Sequence, residues 1–193
     1  VFGCRRGLVE AVRAMDAAGA KAIMLILTCV PEVIGEDVEG IVHEIQPEVA
    51  ARLSFVQLGH FKCNSYPSGF WKTLTAFGAM MEPAETRAKV INVLGRSPEE
   101  DHIPLPAVLD ALSKRGFTLR MLAPKSDMDD FLAAPDAALN LVLSPYMNPL
   151  AEQMRRAFKM PCLSLHEVYS VAGIDALLNE LAERLGITWG DAF

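Results

Sequence analysis

Two hydrophobic rhythms alternate along this chain. Short continuous apolar runs, such as Ala22-Ile23-Met24-Leu25-Ile26-Leu27, read as strands buried on both faces. Between them lie longer stretches with apolar residues every three or four positions, the mark of amphipathic helices. The first, Gly7 to Ala18, carries Leu8, Ala11, Val12 and Met15 on one face and is closed by Gly19. After the strand at 22–27, the pattern predicts a helix from about Pro31 to Arg52, bent near Pro47. A short strand at Ser54–Leu58, a polar loop from Gly59 to Gly69 and a helix at Phe70–Met81 follow.

Glu82-Pro83-Ala84-Glu85-Thr86 is the best linker candidate, and the rhythm restarts beyond it. Strands are expected at Lys89–Leu94, Thr118–Leu122, Ala138–Leu143 and Cys162–Leu165. Helices are expected at Pro104–Arg115, from Ser126 or Asp127, at Met147–Phe158 and at Ile174–Leu185. Such alternation argues for an α/β fold with parallel sheets flanked by helices and right-handed crossovers. It suggests two Rossmann-like units, residues 1–84 and 85–193. Neither half carries a GxGxxG; Gly95-Arg96-Ser97 after a strand is too sparse for a dinucleotide site.

Composition narrows the function. With 193 residues, 51% hydrophobic, the chain can bury one good core or two small ones. A net charge of −6 without a basic block speaks against nucleic acid, which is gripped by clustered Lys and Arg. No apolar run reaches the roughly 18 residues of a membrane span, and no signal peptide is visible. The chain opens at Val1-Phe2-Gly3 without Met and reads as a segment of a longer protein. Four dispersed cysteines, Cys4, Cys29, Cys63 and Cys162, form no CxxC pair, so a reducing, cytoplasmic setting is the expectation.

The most informative stretch is Thr28-Cys29-Val30-Pro31-Glu32-Val33-Ile34-Gly35-Glu36-Asp37. It places Cys29 where a buried strand ends and a helix begins. A helix N-terminus favours thiolate, the form that ligates iron or attacks an electrophile. Ligands of open parallel sheets collect at strand carboxyl ends. Cys29, Cys63 and His60 all follow strands of the first sheet, so together they make a candidate soft-metal or Fe–S neighbourhood. The competing reading is that free cysteines are small core hydrophobes. Glu32, Glu36 and Asp37 complement the helix dipole, or Asp37 ties backbone N–H groups across the sheet edge. Gly35 suggests a bend or a close backbone approach. His43 and His102 read as solvated, and His166-Glu167 as a strand-end ligand contact. Cys162 reads as core, and Cys4 has no assigned place.

This stretch resembles the T-C-x-x-E-x-I-G-D-D signature of the nitrogenase component 1 family. Val1-Phe2-Gly3, the loop from Gly59-His60 to Gly69-Phe70-Trp71, Ala138-Leu139-Asn140-Leu141-Val142 and Met160-Pro161 resemble further family segments over nearly the whole chain. The resemblance implies a three-domain subunit of which this chain is the end of the first Rossmann-like domain and most of the second. Cys29 then falls on a ligand of an Fe–S cluster at a subunit interface, the other ligands lying upstream or on the partner. It implies a second component 1-type subunit, as homo- or hetero-oligomer, and an ATP-dependent iron protein as electron donor. The full-length complex would be an oxidoreductase relaying electrons to a substrate or metallocofactor. The isolated segment would be inactive and cluster-free.

Two departures bear on that expectation. Ser144 stands where catalytic subunits carry a cofactor-ligating cysteine, and Glu36 where the family often has Asp. Ser144 argues against a metallocofactor bound in the nitrogenase manner. A non-catalytic scaffold for metallocofactor assembly suits Cys29 with Ser144 nearly as well. A two-domain small-molecule binding module is the reading from another class. It predicts ligand binding without iron, unaffected by Cys29→Ala.

Overall fold

The computed structural model describes residues 4–59, 66–96, 102–123 and 125–190. The chain divides into two compact units, 1–81 and 82–193.

In the first unit, helix α1 (Arg5–Ala17) ends at Ala18 and Gly19, the latter at φ +88, and leads into strand β1 (Ala22–Leu27). Two helices follow, α2 (Cys29–Val33) and α3 (Val38–Ile45), and then a 3-10 turn at Gln46–Glu48. Strand β2 (Arg52–Gln57) lies parallel to β1 in register from Ala22 opposite Arg52 to Leu27 opposite Gln57. Helix α4 (Tyr66–Gly78) completes the unit. Val12, Ile23, Leu27, Val38, Ile41 and Ile45 form its core. Gln46 pins the turn into β2: its Nε2 donates to Ala51 O at 2.9 Å and its Oε1 accepts from Leu53 N at 2.7 Å.

The single helix expected over 31–52 is therefore three pieces. Gly35 takes φ +70, a left-handed conformation that ends α2. Asp37 then caps α3, its Oδ1 accepting from Gly40 N at 2.9 Å, rather than bridging the sheet edge. Pro47, which cannot donate inside a helix, sits in the 3-10 turn.

The second unit is a four-stranded parallel sheet in the order β4-β3-β5-β6. The strands are β3 (Arg87–Leu94), β4 (Thr118–Leu122), β5 (Ala137–Val142) and β6 (Cys162–Ser164). The connecting helices are α5 (Ala107–Lys114), α6 (Met128–Ala133), α7 (Asn148–Phe158) and, after β6, α8 (Val171–Leu185). One sheet face packs Ile91, Val93, Leu139, Leu141 and Leu163 against Leu109, Leu112 and Leu181. The expected α/β architecture with parallel sheets flanked by helices is present. No helix among the described residues is long and apolar enough to cross a membrane.

Candidate functional site

Because β1 and β2 are parallel, their carboxyl ends share one edge. Leu58 N donates to Leu27 O at 2.9 Å and carries the pairing a step past both strands. Thr28 stays extended, at φ −91 and ψ −174, and Cys29 opens α2. The thiol is half-buried, neither sealed in the core nor stripped of neighbours. Around it the surface is apolar: Val30 is 70% exposed, Val33 69%, Ile34 51% and Ile26, near the end of β1, 61%. Large apolar side chains left in water beside one another mark interaction surfaces.

Two residues that sequence reasoning did not single out belong to this edge. Gly59, just past β2, leaves the space where a side chain would begin to the Glu32 carboxylate. A Cβ there would run into the Glu32 carboxylate and lie 3.4 Å from Cys29 Cα. The backbone at Gly59 thus lies against the start of α2. Cys4 is the second. Its backbone N–H donates to Glu36 Oε2 at 2.7 Å, which ties the start of α1 to the turn after α2. Burial pushes the Cys4 thiol pKa up, and the hydrogen bond and negative charge of Glu36 push the same way. A glycine between strand and helix and a cysteine at a helix start were the available signals, but neither names its partner.

His60 and Cys63, the other two candidates at this edge, lie outside the described residues. Glu32, Glu36 and Asp37 do not line one helix. Glu32 turns its carboxylate under the Gly59 backbone, Glu36 holds Cys4, and Asp37 caps α3. His43 and His102 are exposed, as expected.

In the second unit, the carboxyl ends of β3 and β5 meet at Gly95 and Ser144. Gly95 adopts φ +104, and a Cβ there would come within 2.7 Å of Ser144 Cβ and 3.2 Å of its backbone N. Ser144 Oγ accepts from Tyr146 N at 3.4 Å, so the hydroxyl serves the local turn. His166 Nε2 lies 3.1 Å from Asn148 Oδ1 on an exposed surface. Cys162 is not sealed core as expected. It is half-buried and, with Ser164, Asn148, Arg155 and Glu167, lines a groove of about 260 Å³. Burial raises its thiol pKa, against the opposing pull of the Asn140 hydrogen bond and the Arg155 charge.

Among the described residues, no group of three or more His, Cys, Asp or Glu could hold a metal ion. An Fe–S cluster takes about four thiolate ligands. The described cysteines of the first unit are Cys29 and Cys4, too few to complete a cluster site by themselves.

Parallel sheets flanked by helices, with a cysteine presented at a strand-to-helix junction, define the class: an α/β protein built from Rossmann-like units. Residues 1–192 match the family model of nitrogenase component 1 type oxidoreductases, and the chain belongs to that family. Among solved structures it is similar to one described as Nitrogenase Cp1 at pH 5. The identity is 22% and the TM-score 0.70, over 96% of this chain and 39% of that one. It is also similar to Nitrogenase Cp1 at pH 6.5, with 16% identity and a TM-score of 0.68, over 100% of this chain and 47% of that one. The chain thus spans less than half the length of the solved structures it matches. No curated protein sequence matches it.

Proposed function

We propose that this chain is the part of a nitrogenase component 1-like oxidoreductase subunit that offers Cys29 to an Fe–S cluster shared with a second component 1-type subunit. The observation that carries this reading is the half-buried thiol at the rim of the β1–β2 edge, set among Ile26, Val30, Val33 and Ile34 in water. A sulfur enclosed by its own core could not be shared. A sulfur on a segment with exposed apolar side chains can be shared once a partner covers them, because burial of those side chains drives association. Cys29 would supply one ligand, and the remainder would come from outside the described residues. When bound, the cluster would supply one-electron transfer. This chain's own residues position the thiol: Gly35 ends α2 after five residues, and the Gly59 backbone lies beside Cys29 Cα and the Glu32 carboxylate at its start. An ATP-dependent iron protein is the donor that the family membership suggests.

The test is Cys29→Ala in the full-length assembly. Loss of the Fe–S absorbance, with the subunits still folded, is the expected result. Unchanged iron content and spectrum would rule the assignment out. The chain by itself is expected to purify colourless and iron-free; a brown, iron-loaded preparation would contradict the shared-ligand reading.

Ser144 favours a second reading, a scaffold that carries a maturing metallocofactor to another enzyme. Its hydroxyl is a poor iron ligand beside a thiolate and is already turned to Tyr146 N. Turnover separates the two: a scaffold transfers its cargo and reduces no substrate.

A further inference from the structure

A parallel strand buried on both faces carries little information about its own register. Register is well specified where one face is buried and the other wet, since a one-residue slip then exposes the core side. In β3, Val90 to Leu94 are all buried, and in β5, Leu139 to Val142. Within these runs, beyond the exposed start of β3 at Arg87–Lys89, exposure does not distinguish the native alignment from a slid one.

One row of side chains breaks the uniformity. Arg120, Asn92, Asn140 and Cys162 are successive register partners across β4, β3, β5 and β6. Each donates to the next. Arg120 Nη1 reaches Asn92 Oδ1 at 3.2 Å, Asn92 Nδ2 reaches Asn140 Oδ1 at 2.9 Å, and Asn140 Nδ2 reaches Cys162 Sγ at 3.6 Å. The ends are closed as well. Arg120 pairs with Asp136 at 2.8 Å and donates to Ala133 O at 3.1 Å, while the Cys162 thiol donates to Ala151 O at 3.5 Å. Asn92 Nδ2 also reaches Ala134 O at 2.8 Å. Both asparagines are fully buried.

We propose that this row is the register lock of the four-stranded sheet. A slip of one residue would turn Asn92 or Asn140 onto the face packed by Ile91, Val93, Leu139, Leu141 and Leu181. A slip of two residues keeps the face but separates the partners by about 7 Å, well beyond hydrogen-bond reach. Either move leaves a buried amide without a partner, a large penalty in a low-dielectric core. The lock also has a consequence at the strand ends. It holds β3 and β5 level, which is what brings Gly95 against Ser144 with no space for a Cβ.

The test compares two variants of this chain. N92L/N140L removes the lock with apolar side chains of similar size. The relocated quadruple N92L/L94N/N140V/V142N moves the asparagine pair one rung along the same face, since Leu94 and Val142 are also register partners. N92L/N140L is expected to give more than one set of amide NMR signals for β3 and β5, and a urea m-value reduced by about half. The quadruple is expected to give one set and a sharp transition. A single set of signals with native β3–β5 cross-peaks in N92L/N140L would overturn the proposal. So would a quadruple as heterogeneous, or as unfolded, as N92L/N140L. If N92L/N140L does not fold and the quadruple does, the lock is supported.

Discussion

The two units solve the same problem to different degrees. The second encloses its parallel sheet: Leu139 and Leu141 of β5 are buried, as are Ile91 and Val93 of β3. The first has only two paired strands among the described residues, and at their carboxyl edge it leaves Ile26, Val30, Val33 and Ile34 in water. Parallel sheets are normally covered on both faces, and a lone strand pair is marginal. Both units leave apolar side chains in water, the second at Tyr169 and Val171, but in the first they fall on the segment that Cys29 opens, at Val30, Val33 and Ile34. The difference teaches where to look for the chemistry: beside the apolar side chains that the chain itself leaves unburied.

Substitutions can break or sharpen that contrast. Leu141→Ala, in the closed unit, is expected to cost about 2–5 kcal/mol in urea unfolding, since it opens a cavity in a filled core. Asp136→Asn comes next, at about 3 kcal/mol at neutral pH, because it removes the paired carboxylate of a nearly buried Arg120. Its pH dependence follows from the ion pair. Burial alone would raise the Asp136 pKa, but the hydrogen bonds and charges of Arg120 and then Arg87 outweigh it and hold the carboxyl below its ordinary range. A folded-state pKa below the unfolded one means stability that is present above the unfolded pKa, roughly 3.9, and lost as pH falls through the folded value. The gap between wild type and D136N should therefore be full near pH 7 and close in acid; a gap that widened in acid would refute the sign.

Smaller effects are expected in the first unit. Gly59→Ala displaces the Glu32 carboxylate and should lower stability by about 1 kcal/mol, the low end for an inserted methyl, because the atom in the way is the end of a flexible side chain. Adding Glu32→Ala should return part of it in a double-mutant cycle, and strict additivity would mean that the contact is not the cause. The smallest change is Val33→Ser. On this chain alone it should stay within about 0.5 kcal/mol, because Val33 is already in water. In the full assembly the same substitution should weaken subunit association, read by sedimentation. Equal stability losses for V33S and L141A would erase the distinction between the open unit and the closed one.

Some of this was visible in the residues. β1 and β4 run between the residues that their apolar runs mark, Ala22–Leu27 and Thr118–Leu122. Extended backbone follows from the local run, but burial does not: of β1, expected to be buried on both faces, only Ile23 and Leu27 are buried, and Ile26 is 61% exposed. The helix from Pro31 to Arg52 did not form as one piece, because apolar periodicity continues through Gly35 while the backbone there turns left-handed. The place of Cys29, where β1 gives way to α2, was legible from the apolar run before it. Gly59 and Cys4 were not, since what defines them are contacts with Glu32 and Glu36, residues distant in sequence. Cys162 read as core because its neighbours are apolar; its position on β6, beside the groove along α7, leaves it half-buried.

The sequence by itself determined the alternation of strands and helices, the parallel α/β class, the family signature around Cys29 and a net charge of −6 without a basic block. These are properties of local pattern and composition, and they hold whichever neighbours a segment meets. Only the tertiary structure decided that Asn92 and Asn140 face each other in one row, that Gly59 lies over Glu32, and that the valines flanking Cys29 remain in water. Each of those depends on which strands pair and in what register, a relation between distant segments that side-chain periodicity does not encode.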